Sequence, residues 1–170
     1  MENRRSKERV ICIDIYTDGS LKKSGPLTFG GWAYYAVRDN KCIYYDCGNE
    51  YNTTNQRMEL TAILKALLYA KSIRRGSEKV IIYSDSAYAI NCYLKEWYLT
   101  WQTNGWLTST NKEVANKDLW LQIIPFFDDF WYDFRKVAGH AGNYWNEECD
   151  NMAQNESEKL KRNWKGTKNV

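Results

Sequence analysis

A run rich in β-branched residues, Val10-Ile-Cys-Ile-Asp-Ile-Tyr16, is followed two residues on by an acid and a glycine, Asp18-Gly19. The run reads as a buried strand. Ending a buried strand on a carboxylate is costly unless the charge has a partner, because desolvating an unpaired charge is expensive. The glycine behind it lets backbone approach a ligand closely. Three more acids stand in comparably awkward places: Glu59, Asp85 and Asp150. The expectation is that the fold gathers all four around divalent metal.

The 170 residues suit one domain with a sizeable core. Hydrophobic content of 44% and aromatic content of 15% exclude a disordered chain. Eight Trp and thirteen Tyr serve either packing or base stacking. No apolar run approaches the ~18 residues of a membrane span, and Met1 to Lys7 has no apolar signal core, so a cytoplasmic protein without a membrane partner is expected. Five cysteines without a close CxxC pair, beside one histidine, disfavour a zinc site and read as small buried thiols in a reducing compartment. The net charge of +3 is uneven. Residues 1–9 carry four Lys/Arg against two Glu, and residues 159–170 carry five Lys/Arg and no acid. Between them, 15 basic and 19 acidic side chains leave −4, so global charge alone does not indicate nucleic acid.

Residues 1–9 read as a disordered basic lead and 162–170 as a basic C-terminal tail, with the domain between, over 10–161. Asp18 to Leu27 has the composition of a loop, and Phe29–Val37 with Cys42–Tyr51 that of a hairpin. Leu60, Ile63, Leu64, Leu67 and Leu68 make one helical stripe within residues 54–75, which Gly76 ends. Lys79–Ser84 is a strand, Asp85–Trp97 a helix, 102–112 a loop, Asn116–Phe127 a helix and Phe130–Val137 a strand. A loop over Ala138–Tyr144 leads to a helix over Asn146–Lys161 with Asn146 as N-cap. The fold class is α/β: a five-stranded mixed sheet, strands 1–3 an antiparallel meander, strands 4 and 5 parallel to strand 1, flanked by helices.

Each acid has a plain structural reading. Asp18 suits a turn, Asp85 an N-cap, and Glu59 and Asp150 the first turn of a helix, favoured by its dipole. Yet Glu59 lies only about 40° around its helix from Ile63, at the edge of the core-facing stripe. Asp18 and Asp85 both end strands, and if those strands are parallel neighbours their carboxylates lie side by side, at the edge where α/β sheets bind ligands. Four clustered carboxylates repel unless cations are present, and hard oxygen donors select Mg²⁺ or Mn²⁺. Two such ions about 4 Å apart suit in-line displacement at phosphorus. His140, flanked by Gly139 and Gly142, is placed for an exposed or functional role.

The ordered set of segments resembles type 1 ribonuclease H, within the ribonuclease H-like fold. The segments are Tyr16-Thr-Asp-Gly-Ser20, Thr53-Thr-Asn-Gln-Arg-Met-Glu-Leu60, Ser84-Asp-Ser-Ala-Tyr88, Trp97 through Gly105-Trp106, Asn116-Lys-Asp-Leu-Trp120, and Gly139-His-Ala-Gly142 with Asn146-Glu-Glu-Cys-Asp150. They keep the family's order and spacing over about residues 10–158. The resemblance implies a metal-dependent endonuclease that cuts the RNA strand of RNA–DNA hybrids by a two-metal-ion mechanism, leaving 5′-phosphate and 3′-hydroxyl. It implies two Mg²⁺ ions, with Mn²⁺ as substitute. Asp18, Glu59, Asp85 and Asp150 match the metal-binding carboxylates, Asp18 and Asp150 holding the ion that activates water, and His140 matches a loop histidine that helps product leave. Backbone at Gly19 and Ser20 would meet ribose 2′-hydroxyls. Asn55 and Gln56 match minor-groove readers, Thr54 and Asn116 a DNA-phosphate pocket, and Trp97 with Tyr88 an aromatic channel for deoxyribose. A monomer is the default.

The segment between Trp101 and Trp106 departs from the bacterial pattern. There the family typically carries a basic handle; here it reads Gln102-Thr-Asn-Gly105, and Leu107 follows. Residues 1–9 are too short for the hybrid-binding module of many eukaryotic members. Two rivals are a resolvase- or integrase-like nuclease of the same superfold and a non-catalytic nucleic-acid-binding module. The first lacks the Asn55-Gln56 and Trp97 set, and the second usually loses an acid. A zinc or redox protein is disfavoured by the cysteine spacing.

Overall fold

The structure, a computed structural model, describes residues 11–137 and 142–167. The lead at 1–9, His140 and the end of the tail at 168–170 lie outside the described residues. One sheet has the order β3-β2-β1-β4-β5. Its strands are β1 (Cys12–Ser24), β2 (Leu27–Arg38), β3 (Lys41–Tyr51), β4 (Lys79–Ser84) and β5 (Tyr132–Lys136). β1, β2 and β3 form the expected antiparallel meander, while β4 pairs parallel to β1 and β5 parallel to β4.

β1 does not stop at Asp18. It stays paired with β2 out to Ser24 and Leu27, so most of the segment expected as a loop is hairpin. The turn falls at Gly25-Pro26, with Gly25 at φ 59°. Pairing with a strongly β-forming partner has overridden a turn-rich local composition. The β2–β3 turn is the Asp39-Asn40 pair, both left-handed at φ 50° and 58°, as a tight hairpin turn demands.

α1 (Asn55–Ile73) buries Leu60, Ile63, Leu64 and Leu67, together with Met58 and three alanines, whereas Leu68 is exposed. The helix ends at Arg74, which is extended, so Gly76 belongs to the following turn and not to the cap. The single helix expected over Asp85–Trp97 is two, α2 (Ala87–Leu94) and α3 (Trp97–Thr103), broken where Glu96 turns left-handed at φ 53°. α4 (Lys117–Ile123) tightens into a 3-10 turn at Pro125, which lacks the amide a longer helix needs. α5 spans Tyr144–Thr167, so residues 162–167, expected as tail, are helix. Asn143, not Asn146, caps its first turn, its Oδ1 accepting from the Asn146 amide at 3.2 Å.

Two adjacent glycines in β2 place the helices. A Cβ on Gly30 would strike Thr53 and Met58 at the start of α1, and one on Gly31 would strike the Ala153 carbonyl of α5. Successive strand residues face opposite ways, so α1 and α5 cover opposite faces of the sheet. The aromatic load is largely core. Trp120 is fully buried, with Tyr88 and Trp101 rings 5.7 and 5.6 Å from it. Cys92 and Cys149 are buried as expected, but Cys42 is exposed and Cys12 and Cys47 are half-buried.

Candidate active site and nucleic-acid face

The β1–β4 ladder closes at Thr17 and Ser84, and Asp18 and Asp85 each follow one residue later. The two acids thus stand side by side where the parallel ladder ends, Asp85 just past the end of β4 and Asp18 where β1 runs on paired to β2 alone. Asp18 is 6% exposed and pairs across to Ala33, on the α5 face. Gly19 faces the other way, where an added Cβ would lie 2.4 Å from the Glu59 amide nitrogen. The glycine is therefore needed for close packing of α1 on β1, and that approach brings Glu59 beside Asp18. From the opposite face α5 delivers Asp150, whose Oδ1 accepts from Gln154 Nε2 at 2.7 Å. The Cys149 thiol donates to the Tyr16 carbonyl at 3.0 Å and ties that turn of α5 to β1.

The carboxylates feel one another. Burial pushes Asp18 up to about 8, helped by the charges of Asp85, Asp150 and Glu59 and opposed by the Gly19 amide, which donates to Asp18 Oδ1 at 2.7 Å. Burial and Asp85 also raise Glu59, against hydrogen bonds from Ser86 and Asn55. Ser86 Oγ donates to Glu59 Oε2 at 2.5 Å and Asn55 Nδ2 to Oε1 at 2.8 Å. Ser86 also caps α2, accepting from the Ala89 amide at 3.3 Å. Four oxygen-donor acids short of positive charge fit hard divalent cations in chemistry. Among the described residues, however, no three acidic, cysteine or histidine side chains already stand as a closed metal cage.

Around this centre lies an exposed polar face. Thr54 caps α1 by accepting from the Arg57 amide at 3.2 Å. Arg57 reaches Asn116 Oδ1 at 3.4 Å and grips Asp118 at 3.0 and 2.8 Å, with Glu50 at 3.1 Å. Arg57 thus touches both, Thr54 through its backbone amide and Asn116 through its guanidinium. Asn55 and Gln56 are exposed at the start of α1. The Ser20 hydroxyl, 9% exposed, turns to Ser157 at 3.3 Å, which leaves backbone as its contribution. Tyr88, in the first turn after Asp85, meets Trp97 at 6.2 Å. Both line a groove of about 610 Å³ with Trp101, Asn104, Leu107 and Val114. Asn104 brackets Leu107 through its amide at 3.0 Å and carbonyl at 2.8 Å, so the neutral handle is a built turn. His140 cannot be placed against this site, lying outside the described residues.

Sequence reasoning missed Ser86 and Gln154. Gln154 was findable, because i,i+4 spacing puts it over Asp150 on a helix. Ser86 reads as an ordinary cap, and its bond to Glu59 depends on where α1 lands.

A carboxylate cluster where two parallel strands part, with helices on both faces of the sheet, is the arrangement of an α/β protein that binds cationic ligands at its sheet edge. The RNase H family model matches residues 12–158. A ribonuclease H of Syntrophomonas wolfei is 42% identical over 144 residues, 84% of this chain and 94% of that protein. One from Nitratidesulfovibrio vulgaris is 41% identical over 143 residues, 84% of this chain and 86% of that protein. LC9-RNase H1, a type 1 RNase H with the type 2 active-site motif, superposes with TM-score 0.66 at 21% identity, over 91% of this chain and 76% of that one. The foamy viral protease-reverse transcriptase in complex with RNA/DNA hybrid superposes with TM-score 0.75 at 17% identity, over 92% of this chain and 22% of that one. The chain belongs to the RNase H family.

Proposed function

We propose that this chain cuts the RNA strand of RNA–DNA hybrids with two divalent cations, Mg²⁺ or Mn²⁺ in its place, held by Asp18, Glu59, Asp85 and Asp150. Family membership makes it a hydrolytic endoribonuclease with a divalent-metal requirement. The observation that carries the metal reading is the placement of the buried Asp18 carboxylate, one residue beyond the β1–β4 ladder beside Asp85, with α1 packed against Gly19 so that Glu59 joins them. When bound, the cations supply charge neutralisation at phosphorus and a more acidic water. Asp18 and Asp150 hold the ion on the water side. Gly19 keeps α1 close enough for Glu59 to join, while Asn55 and Ser86 fix the Glu59 carboxylate. The products carry 5′-phosphate and 3′-hydroxyl.

Asn55 and Gln56 read the minor groove, Thr54 and Asn116 seat a DNA phosphate beside Arg57, and Tyr88 with Trp97 takes deoxyribose. Backbone at Gly19 and Ser20 meets 2′-hydroxyls, where β1 keeps β2 on one edge but has lost β4 on the other. His140 assists product release. The domain starts at residue 10 but runs through the end of α5 at Thr167 and not to 161. The molecule acts as a monomer in the cytoplasm. No helix among the described residues is long and apolar enough to cross a membrane. The test is Mg²⁺-dependent cleavage of a labelled RNA–DNA hybrid beside RNA–RNA and DNA–DNA duplexes. Hybrid-specific cutting, lost in chelator, is expected. Equal cutting of all three duplexes, or binding without cutting, overturns the reading.

A further inference from the structure

The family match ends at residue 158, but α5 continues to Thr167. That extension carries Trp164, whose ring stacks on Tyr51 at 4.4 Å and 17° and meets Phe29 edge-on at 6.4 Å. Phe29 and Tyr51 are themselves paired across β2 and β3, with rings 5.6 Å apart. Three aromatics from three elements thus close one end of the sheet. Asn49 Nδ2 donates to Glu156 Oε2 at 2.6 Å about two turns earlier in α5, a second tie between β3 and α5.

Tyr51 is the last residue of β3, and the chain needs only Asn52 and Thr53 to reach the Thr54 cap and Asn55. Asn52 is left-handed at φ 56°, and its amide donates to the Thr28 carbonyl at 2.9 Å. Thr28 Oγ1 donates to the Thr53 carbonyl at 2.8 Å. Thr53 packs over Gly30, where there is no room for a Cβ. The segment is thus pinned below by β2 and gripped at its entry by Tyr51, whose outer ring face is covered by Trp164.

We propose that Trp164 is a positioning residue for hybrid binding: the C-terminal extension of α5 clamps Tyr51 and so fixes the segment that presents Thr54, Asn55 and Gln56. This rests on the reading of that segment as hybrid-contacting. The extension thereby serves substrate binding through an aromatic stack on the fully buried Phe29, separately from any charge its lysines carry.

The test compares Trp164→Leu, which keeps apolar bulk without the stack, and Trp164→Phe, which restores an aromatic ring, with Asn55→Ala as reference. Each full-length chain is assayed for kcat and KM on a labelled RNA–DNA hybrid, for thermal unfolding, and for amide exchange at residues 52–58. Trp164→Leu is expected to raise KM roughly three- to tenfold, the equilibrium equivalent of one stacked aromatic pair. It should leave kcat within about twofold and speed exchange at Asn52, and Trp164→Phe should reverse most of each change. A lower Tm with unchanged KM and unchanged exchange, while Asn55→Ala raises KM, overturns the positioning role and leaves the hybrid-contacting reading standing. An Asn55→Ala chain with unaltered KM removes that reading, and the clamp's function with it.

Discussion

Asp18 and Asp85 stand at the same level, each one residue beyond Thr17 and Ser84, the last pair of the parallel β1–β4 ladder, with Asp18 still paired to β2 on its other edge. A one-residue slip in that ladder would turn one acid to the other face. Asp18→Asn or Asp85→Asn is therefore expected to abolish hydrolysis while leaving the fold intact, because each removes a cation donor and little packing. Labelled hybrid with Mg²⁺ measures this. Near-normal activity in either variant would sink the metal-site assignment.

The same position has a stability cost that pH exposes. Burial, then Asp85, Asp150 and Glu59, push Asp18 up to about 8. An acid raised in the folded state binds its proton more tightly there than when unfolded. In chelator, stability should then fall as pH rises from about 4 to about 8, and flatten above that. Asp18→Asn escapes this loss. Its Tm is expected to exceed that of the unsubstituted chain by a few degrees at pH 8, with little gap near pH 4. A gap that fails to widen with pH would mean that the buried charge is already compensated.

Gly19→Ala tests the packing that brings Glu59 in. The added Cβ would meet α1 backbone at 2.4 to 2.9 Å, and backbone cannot swing aside as a side chain can. Overpacking of this kind typically costs about 1–3 kcal/mol. Lower Tm and markedly lower kcat are expected together. Full activity would show that α1 has room to shift without moving Glu59.

Asp18 and Asp85 stood out in the sequence because each closes a buried run, and Glu59 because it lies at the rim of an apolar stripe; Asp150, an acid in a helix, broke no local rule. The strand directions were legible from the hairpin pattern and the helical crossovers, but not which edge β4 and β5 extend. The β1 hairpin was not, since Gly19, Ser20 and Gly25 look like loop and are held extended by β2. The break at Glu96 was equally hidden, because the left-handed residue that makes it is not a glycine. Trp164 sits in a stretch whose charge suggests solvent, and its partner Tyr51 is more than a hundred residues away in the chain.

His140→Ala is expected to slow turnover by a moderate factor without abolishing cleavage. It is the chain's one histidine, between Gly139 and Gly142, where it suits proton transfer or product exit more than anchoring metal. Steady-state and single-turnover rates on hybrid measure this, the first falling more than the second. Complete loss in both would give the histidine a more central role.

Trp97→Ala should weaken hybrid binding more than it slows chemistry. Its half-buried ring meets Tyr88 at 6.2 Å and carries the Lys95 ammonium 5.9 Å from its centroid, at the mouth of the groove. The aromatic contact is worth about 1–3 kcal/mol, and Lys112 lines the same groove while the Lys117 ammonium lies 5.5 Å from the Trp106 ring centroid. The handle itself, Gln102-Thr103-Asn104 with Leu107, offers no positive charge. Phosphate contacts by Lys or Arg steepen the salt dependence of binding by about 0.9 in log–log slope each. Lysines placed at 102 and 103 are therefore expected to tighten binding and steepen the slope, whereas Asn104 should stay, because it brackets Leu107. Neutralising Lys161, Arg162 and Lys165 to Gln should do the reverse, and it spares the Trp164 stack that deleting the tail would remove. Filter binding across a salt series reads both. A slope that ignores the added lysines would show that the handle does not touch nucleic acid, and one that ignores the neutralised set would show that the end of α5 acts through Trp164 and not through charge.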